Sequence, residues 1–120
     1  MEAAKLYDNV AKSFLDKEMV EKAAYAFKKL GFTNARAADT VDKSEEYKIH
    51  IKSAIESYKE AKNIFKQIKN KAEELECEAE TNFYKGIIAN SKEEGKKVTY
   101  RSYELFIESS EIFSAILYPQ

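Results

Sequence analysis

FLDKEMVEKAAYAFKKLGF, residues Phe14–Phe32, places a polar corner between two apolar lines. Upstream, Ala3, Tyr7, Val10, Ala11 and Phe14 recur three and four residues apart, which is one face of a helix over Glu2–Leu15. Downstream, Val20, Ala23, Ala24, Phe27 and Leu30 form a second face of the same kind. The corner itself, "DKE" at 16–18, is too short to separate the two helices, so they are expected to fold back as an antiparallel hairpin. Gly31 stands where a glycine would end the second helix in a left-handed turn. Thr33 or Asn34 would then cap a short connecting helix, ARAADTV.

Composition extends this helical reading to the whole chain. Only three Gly and one Pro occur in 120 residues, and the Pro is Pro119. Both residues disfavour helix interiors, so their scarcity argues for an all-α fold. The length suits one domain over 1–120, large enough to bury a core without cross-links. Apolar residues at 44% and charged residues at 34% fit helices with one dry and one wet face. The net charge of −1 lacks the basic footprint of a nucleic-acid binder. Cys77 stands alone, which excludes an internal disulfide and a multi-cysteine zinc site. The N-terminus, MEAAKLYDNV, has no signal pattern, and no run approaches the ~20 apolar residues of a membrane span. A cytoplasmic location, no membrane insertion and no cofactor are therefore expected.

Further along, Ser44 followed by Glu45 and Glu46 marks another helix start. Tyr47, Ile51, Ala54, Tyr58, Ala61, Phe65 and Ile68 then alternate steps of four and three, and Ala72, Leu75 and Ala79 keep the phase. One helix from 44 to 91 would read the same way as two helices broken at "KNK", residues 69–71. Two antiparallel helices are favoured, because Asn70 tolerates the left-handed conformation and very long helices are uncommon in small domains. Leu75, Ala79, Phe83, Gly86 and Ile87 define a fourth helix, with Gly95 as a breaker in the following loop. A fifth helix is expected from Val98 or Thr99. It is apolar over much of its circumference: Tyr103, Phe106, Ser110, Phe113 and Leu117 make one stripe, and Leu105, Ile107, Ile112 and Ile116 lie off it. It is either central to the bundle or a terminal helix with a face for a partner.

The quoted hairpin resembles a tetratricopeptide repeat. Val10, Ala11, Phe14, Ala23, Phe27 and Leu30 match that spacing, with small residues at the helix crossing and aromatics beside it. Ala61, Phe65, Ile68 and Gly86 match a second unit in part, although Lys85 occupies a large apolar slot there. In the fifth helix, Ser109 falls at the small position only after extra residues. The segment KAAYAFKKLGFTNARAAD is also similar to the longer helical repeats of soluble NSF attachment proteins. The resemblance covers about two thirds of the chain. It implies about five main helices in antiparallel hairpins stacked as a right-handed superhelix.

It further implies a non-catalytic scaffold or adaptor that binds a segment of a protein partner in a concave groove. By the repeat's geometry the groove positions are Lys5, Asp8, Lys12 and Leu15 in the first helix and Glu80, Phe83, Ile87 and Asn90 in the fourth. The family's clamp for a terminal carboxylate is not expected, because Lys12 stands at its asparagine position and Glu80 replaces a lysine. The plain competing reading is a set of solvated helix faces, on which lysines and acids alternate.

Two other classes stay open: a self-associating bundle or coiled coil built on the 47–79 stripe, hence a homo-oligomer, and a histidine-phosphotransfer-like bundle using His50. Lys52 and Ser53 fall one residue early for the phosphotransfer pattern. Glu73, Glu76 and Glu80 share a helix face, but no His accompanies them as a di-iron bundle would need. Tyr84, Tyr100 and Tyr103 are the aromatics least tied to the stripes and are candidate partner contacts.

Overall fold

A computed structural model describes residues 2–119, and five α-helices account for nearly all of them. They are α1 (Glu2–Asp16), α2 (Val20–Ala38), α3 (Ser44–Gln67), α4 (Lys71–Ile87) and α5 (Lys92–Leu117). Each packs chiefly on its neighbours in sequence. The result is a slab of 46 × 35 × 20 Å, about two helix diameters thick. Its radius of gyration of 15.0 Å exceeds the roughly 13.6 Å of a compact chain of this length, as sequential stacking demands.

At the first hairpin Ala11 and Ala23 are completely buried, so α1 and α2 cross where neither projects more than a methyl group. Phe27 is buried and Phe14 half-buried in the same cluster, which continues into Tyr58, Ala61 and Phe65 of α3. The turn between these helices places Glu18 at φ 58 and returns the Met19 N–H to the Phe14 carbonyl.

Gly31 does not end α2. The helix runs seven residues further and absorbs residues 35–38 of the segment expected to form a separate connecting helix, while Asp39, Thr40 and Val41 lie beyond its end. Asn34, Ala35 and Ala38 are buried there, and that burial carries the helix onward. Gly31 instead makes room for α3: a Cβ at this position would lie 2.7 Å from Tyr58 Cδ2. Nearby, the Asn34 amide donates to Ser57 Oγ, giving these facing polar groups a partner.

The 44–91 region is two helices, as favoured. The left-handed residue of their turn is Lys69 (φ 60), not Asn70. Asn70 (φ −91) instead caps α4, its side-chain oxygen accepting from the Glu73 N–H at 3.3 Å.

The start of α5 also differs from expectation. Ser91 caps the helix by accepting from the Glu94 N–H, so α5 begins at Lys92 rather than at Val98 or Thr99. Gly95 therefore lies inside the helix. The face that α5 buries is not the Tyr103–Leu117 stripe either, but Ser102, Leu105 and Ser109. These serines donate to main-chain carbonyls of α4, Ser102 to Ala79 and Ser109 to Ala72, each at 2.8 Å. Gly95 faces Gly86, whose oxygen lies 3.3 Å from where a Gly95 Cβ would be. Small residues thus meet small residues at seven-residue intervals, 72, 79 and 86 against 109, 102 and 95. This permits close backbone approach and leaves the bulky residues of α5 at the edges of the seam. α5 is accordingly not central: α4 is the helix it packs against.

Candidate partner-binding groove

α2 and α4 both lie against α3, and a partly buried ion pair ties them together. Lys28 Nζ of α2 is 2.8 Å from Glu73 Oε2 and 3.3 Å from Glu76 Oε1 of α4. Burial works against the Lys28 charge, yet the hydrogen bond it donates to Glu73 and the field of Glu76 prevail and raise its pKa. Lys28 and Glu76 line a groove of about 650 Å³.

The outer face of α2 forms the groove floor. Tyr25 and Phe32 stand seven residues apart on it, both close to half exposed, with Ala26 between them. Tyr25 is held by an edge-on contact with Phe65 at 4.9 Å between ring centroids. Tyr7, Val10 and Phe14 of α1 form one wall, and Glu76 and Glu80 of α4 stand opposite. Tyr58 reaches in from α3 beneath, its ring stacked on Tyr84 at 6.0 Å. Two lysines line the aromatic side: Lys22 Nζ sits 5.9 Å from the Phe14 ring centre and Lys29 Nζ 5.6 Å from that of Phe32.

The groove is apolar enough to perturb its own ionisable groups. Burial, reinforced by Glu76, pushes the Glu80 carboxyl above its ordinary value, against the opposing pull of Lys28. Burial likewise raises the Tyr58 phenol and pushes Tyr84 up to about 12. Beneath the α4 wall, Cys77 is completely buried and its thiol is pushed up to about 12 by desolvation. Such a thiol is a core group, not a nucleophile. Among the described residues no three His, Cys, Asp or Glu side chains converge so as to hold a metal ion, and no helix is long and apolar enough to cross a membrane.

The residues expected to line one groove do not converge. Glu80 lies in the groove described here. Phe83 is half-buried on the same helix, edge-on to Tyr84 at 5.3 Å, and Ile87 is exposed one turn beyond. Lys5 and Asp8 border a separate, shallower depression between α1, α2 and α3, with Ile49 and Ser53. Lys12 is exposed and paired to Asp8 at 2.9 Å. Leu15 is exposed near the end of α1, and Asn90 lies in the corner between α4 and α5. His50 is half-buried near the start of α3.

The groove residues not anticipated are Tyr7, Val10 and Phe14, which read as core, and Tyr25 and Phe32. A signal for the last two was present. They lie off the Ala23–Phe27–Leu30 stripe, seven residues apart, and each follows a lysine by three residues. No protein-family model matches the chain, and no curated protein or solved structure is significantly similar to it.

Proposed function

We propose that this chain is a non-catalytic protein-interaction module, a scaffold or adaptor, that holds an amphipathic helix of a partner in the α1–α2–α4 groove. The observation that carries this reading is the floor itself. Tyr25 and Phe32 are half-exposed aromatics spaced two helical turns apart, Tyr25 held edge-on by Phe65, and residues of α1 and α4 line the same groove. Aromatic side chains so placed are the usual energetic anchors of a binding surface. Charge defines the occupant further. Lys22 and Lys29 lie along the aromatic side and Glu80 along the α4 side, so the partner helix carries acids on one flank of its apolar face and bases on the other. The tetratricopeptide-like stacking belongs to the same proposal. It is supported by the buried Ala11–Ala23 crossing with Phe14 and Phe27 in its cluster, and by the succession of sequential helix contacts. On this reading Glu80 is a contact residue, with Phe83 and Ile87 extending the same α4 face.

A display library of amphipathic helical peptides, followed by fluorescence polarisation of the selected peptides, tests this. The expected result is enrichment of helices with the stated charge flanks, binding at micromolar affinity and losing at least about tenfold in Tyr25→Ala and Phe32→Ala. Both residues are substantially exposed, so the variants are expected to fold. Failure to enrich any such helix, or binding indifferent to both substitutions, would refute the proposal.

A further inference from the structure

The corner where α4 passes into α5 leaves a second cavity, of about 630 Å³. Ala89 and Asn90 line one side, and Lys96, Tyr100 and Tyr103 of α5 line the other. The cavity is continuous with the face of α5 turned away from α4. Along that face Tyr100, Tyr103 and Ile107 follow at spacings of three and four, Ser114 follows one heptad later, and Leu117 and Tyr118 end the line. Tyr100, Ile107, Leu117 and Tyr118 are each at least 60% exposed, and Tyr103 is 52% exposed. This is an apolar stripe on the opposite side of the helix from the buried Ser102, Leu105 and Ser109.

Charge beside the stripe is ordered along the helix. Its first ten residues carry Lys92, Lys96, Lys97 and Arg101 against Glu93 and Glu94 and are net basic, whereas the remainder carries only Glu104, Glu108 and Glu111 and is net acidic. A helix with basic residues at one end and acidic residues at the other complements a copy of itself only when that copy runs antiparallel.

We propose that this face is a two-fold interface with a second copy of the chain, α5 lying antiparallel on α5, each copy's Leu117 and Tyr118 filling the other's corner cavity. One register satisfies the whole stripe. If Tyr100 lies opposite the second copy's Ile107, Tyr103 falls beside its twin at the axis and Lys96 opposite Glu111. Leu117 and Tyr118 then fall opposite Asn90 and Ala89, at the mouth of the cavity. The same patch serves both copies, as a closed two-fold contact requires. The five large exposed side chains offer on the order of 600 Å² per copy, which with their polar rim approaches the ~800 Å² of a standard interface partner. The surface is distinct from the α1–α2–α4 groove, so the two proposals stand or fall separately.

Sedimentation equilibrium of the full chain, from about 1 to 100 μM, spans the micromolar affinity expected of such a contact. The expected mass at the upper end is twice the 13.8 kDa of one chain. Ile107→Asp, at an exposed position, is expected to retain the helical circular dichroism and sediment as a monomer. Lys96→Glu and Glu111→Lys should each weaken the dimer several-fold, and the double variant should restore it. On air oxidation Tyr103→Cys should cross-link to its twin, whereas Ser114→Cys should not. A monomer throughout overturns the proposal, as does a dimer that survives Ile107→Asp, a double variant without rescue, or equal cross-linking at 103 and 114.

Discussion

Replacing Gly31 by alanine adds one methyl group at the crossing of α2 and α3. Two effects of opposite sign follow. Alanine favours a helix interior over glycine by about 1 kcal/mol, and Gly31 lies in the middle of α2 with ordinary helical φ. Against this, the new Cβ would stand 2.7 and 2.8 Å from Tyr58 Cδ2 and Cε2. The ring cannot swing clear, because Tyr58 is 3% exposed and is stacked on Tyr84. Overpacking of this kind costs about 1–3 kcal/mol. Strain therefore wins, and Gly31→Ala is expected to destabilise by about 1 kcal/mol net, a fall in melting temperature of roughly 4 °C at this chain length.

Gly95→Ala supplies the contrast. Its Cβ meets only the Gly86 oxygen at 3.3 Å and Ala89 Cβ at 3.5 Å. Helix preference and mild crowding then offset one another, and the variant should be close to wild type. Urea unfolding followed by circular dichroism measures both. A double-mutant cycle of Gly31→Ala with Tyr58→Leu should show a coupling of about 1 kcal/mol, since the smaller side chain releases the strain. If Gly31→Ala proves stabilising, or if the coupling is absent, the α2–α3 crossing has room for the added methyl group and Tyr58 does not confine it.

Ala23→Glu puts a carboxylate into the fully buried α1–α2 crossing. It should cost at least about 3 kcal/mol and expose the amides of α1 to rapid hydrogen exchange; retained stability would show that the helices do not cross there. Glu80 titrates above its ordinary value of 4.5 in the folded chain, so folding favours its neutral form. That preference is fully felt below the unfolded pKa and is lost progressively as pH rises through the folded pKa. Glu80→Gln should accordingly be more stable than wild type at pH 7, with the advantage vanishing near pH 4, as paired urea titrations at the two pH values would reveal. Cys77, buried and pushed up to about 12, should resist a thiol reagent at pH 8 in the native chain and react at once in denaturant. Fast native labelling would mean that α4 does not cover it.

Much of the secondary structure could be read from residue spacing. The Ala11–Ala23 crossing and the α3–α4 turn were both legible, because apolar periodicity and a short polar corner are local signals. The extent of α2 and the start of α5 were not. Gly31 and Gly95 are the residues that usually end a helix, and here each serves a neighbour. Gly31 admits a tyrosine ring from a helix 27 positions further along the chain, and Gly95 meets Gly86 across the α4–α5 seam. Nothing near either glycine in sequence distinguishes a breaker from a contact.

The candidate site divides the same way. Glu80 and the aromatic content of the first hairpin stand out in one dimension, but the groove requires knowing that α1 and α4 rise on either side of α2. Composition and periodicity by themselves determine that this chain is all-helical, that its first two helices form a hairpin with alanines at the crossing, and that the long 44–91 stripe admits a break. For α5, the tertiary structure alone decides which face is buried. On α5 the seam is made by Ser102, Ser109 and Gly95, because their hydroxyls and missing side chains let two backbones meet at Ala79, Ala72 and Gly86. Of the large apolar residues that dominate its sequence, only Leu105 is fully buried, and Tyr100, Tyr103, Ile107, Ile116 and Leu117 are left on the outside. Hydrophobicity favours burial of whatever a neighbour can cover, and only the packed neighbour determines what that is.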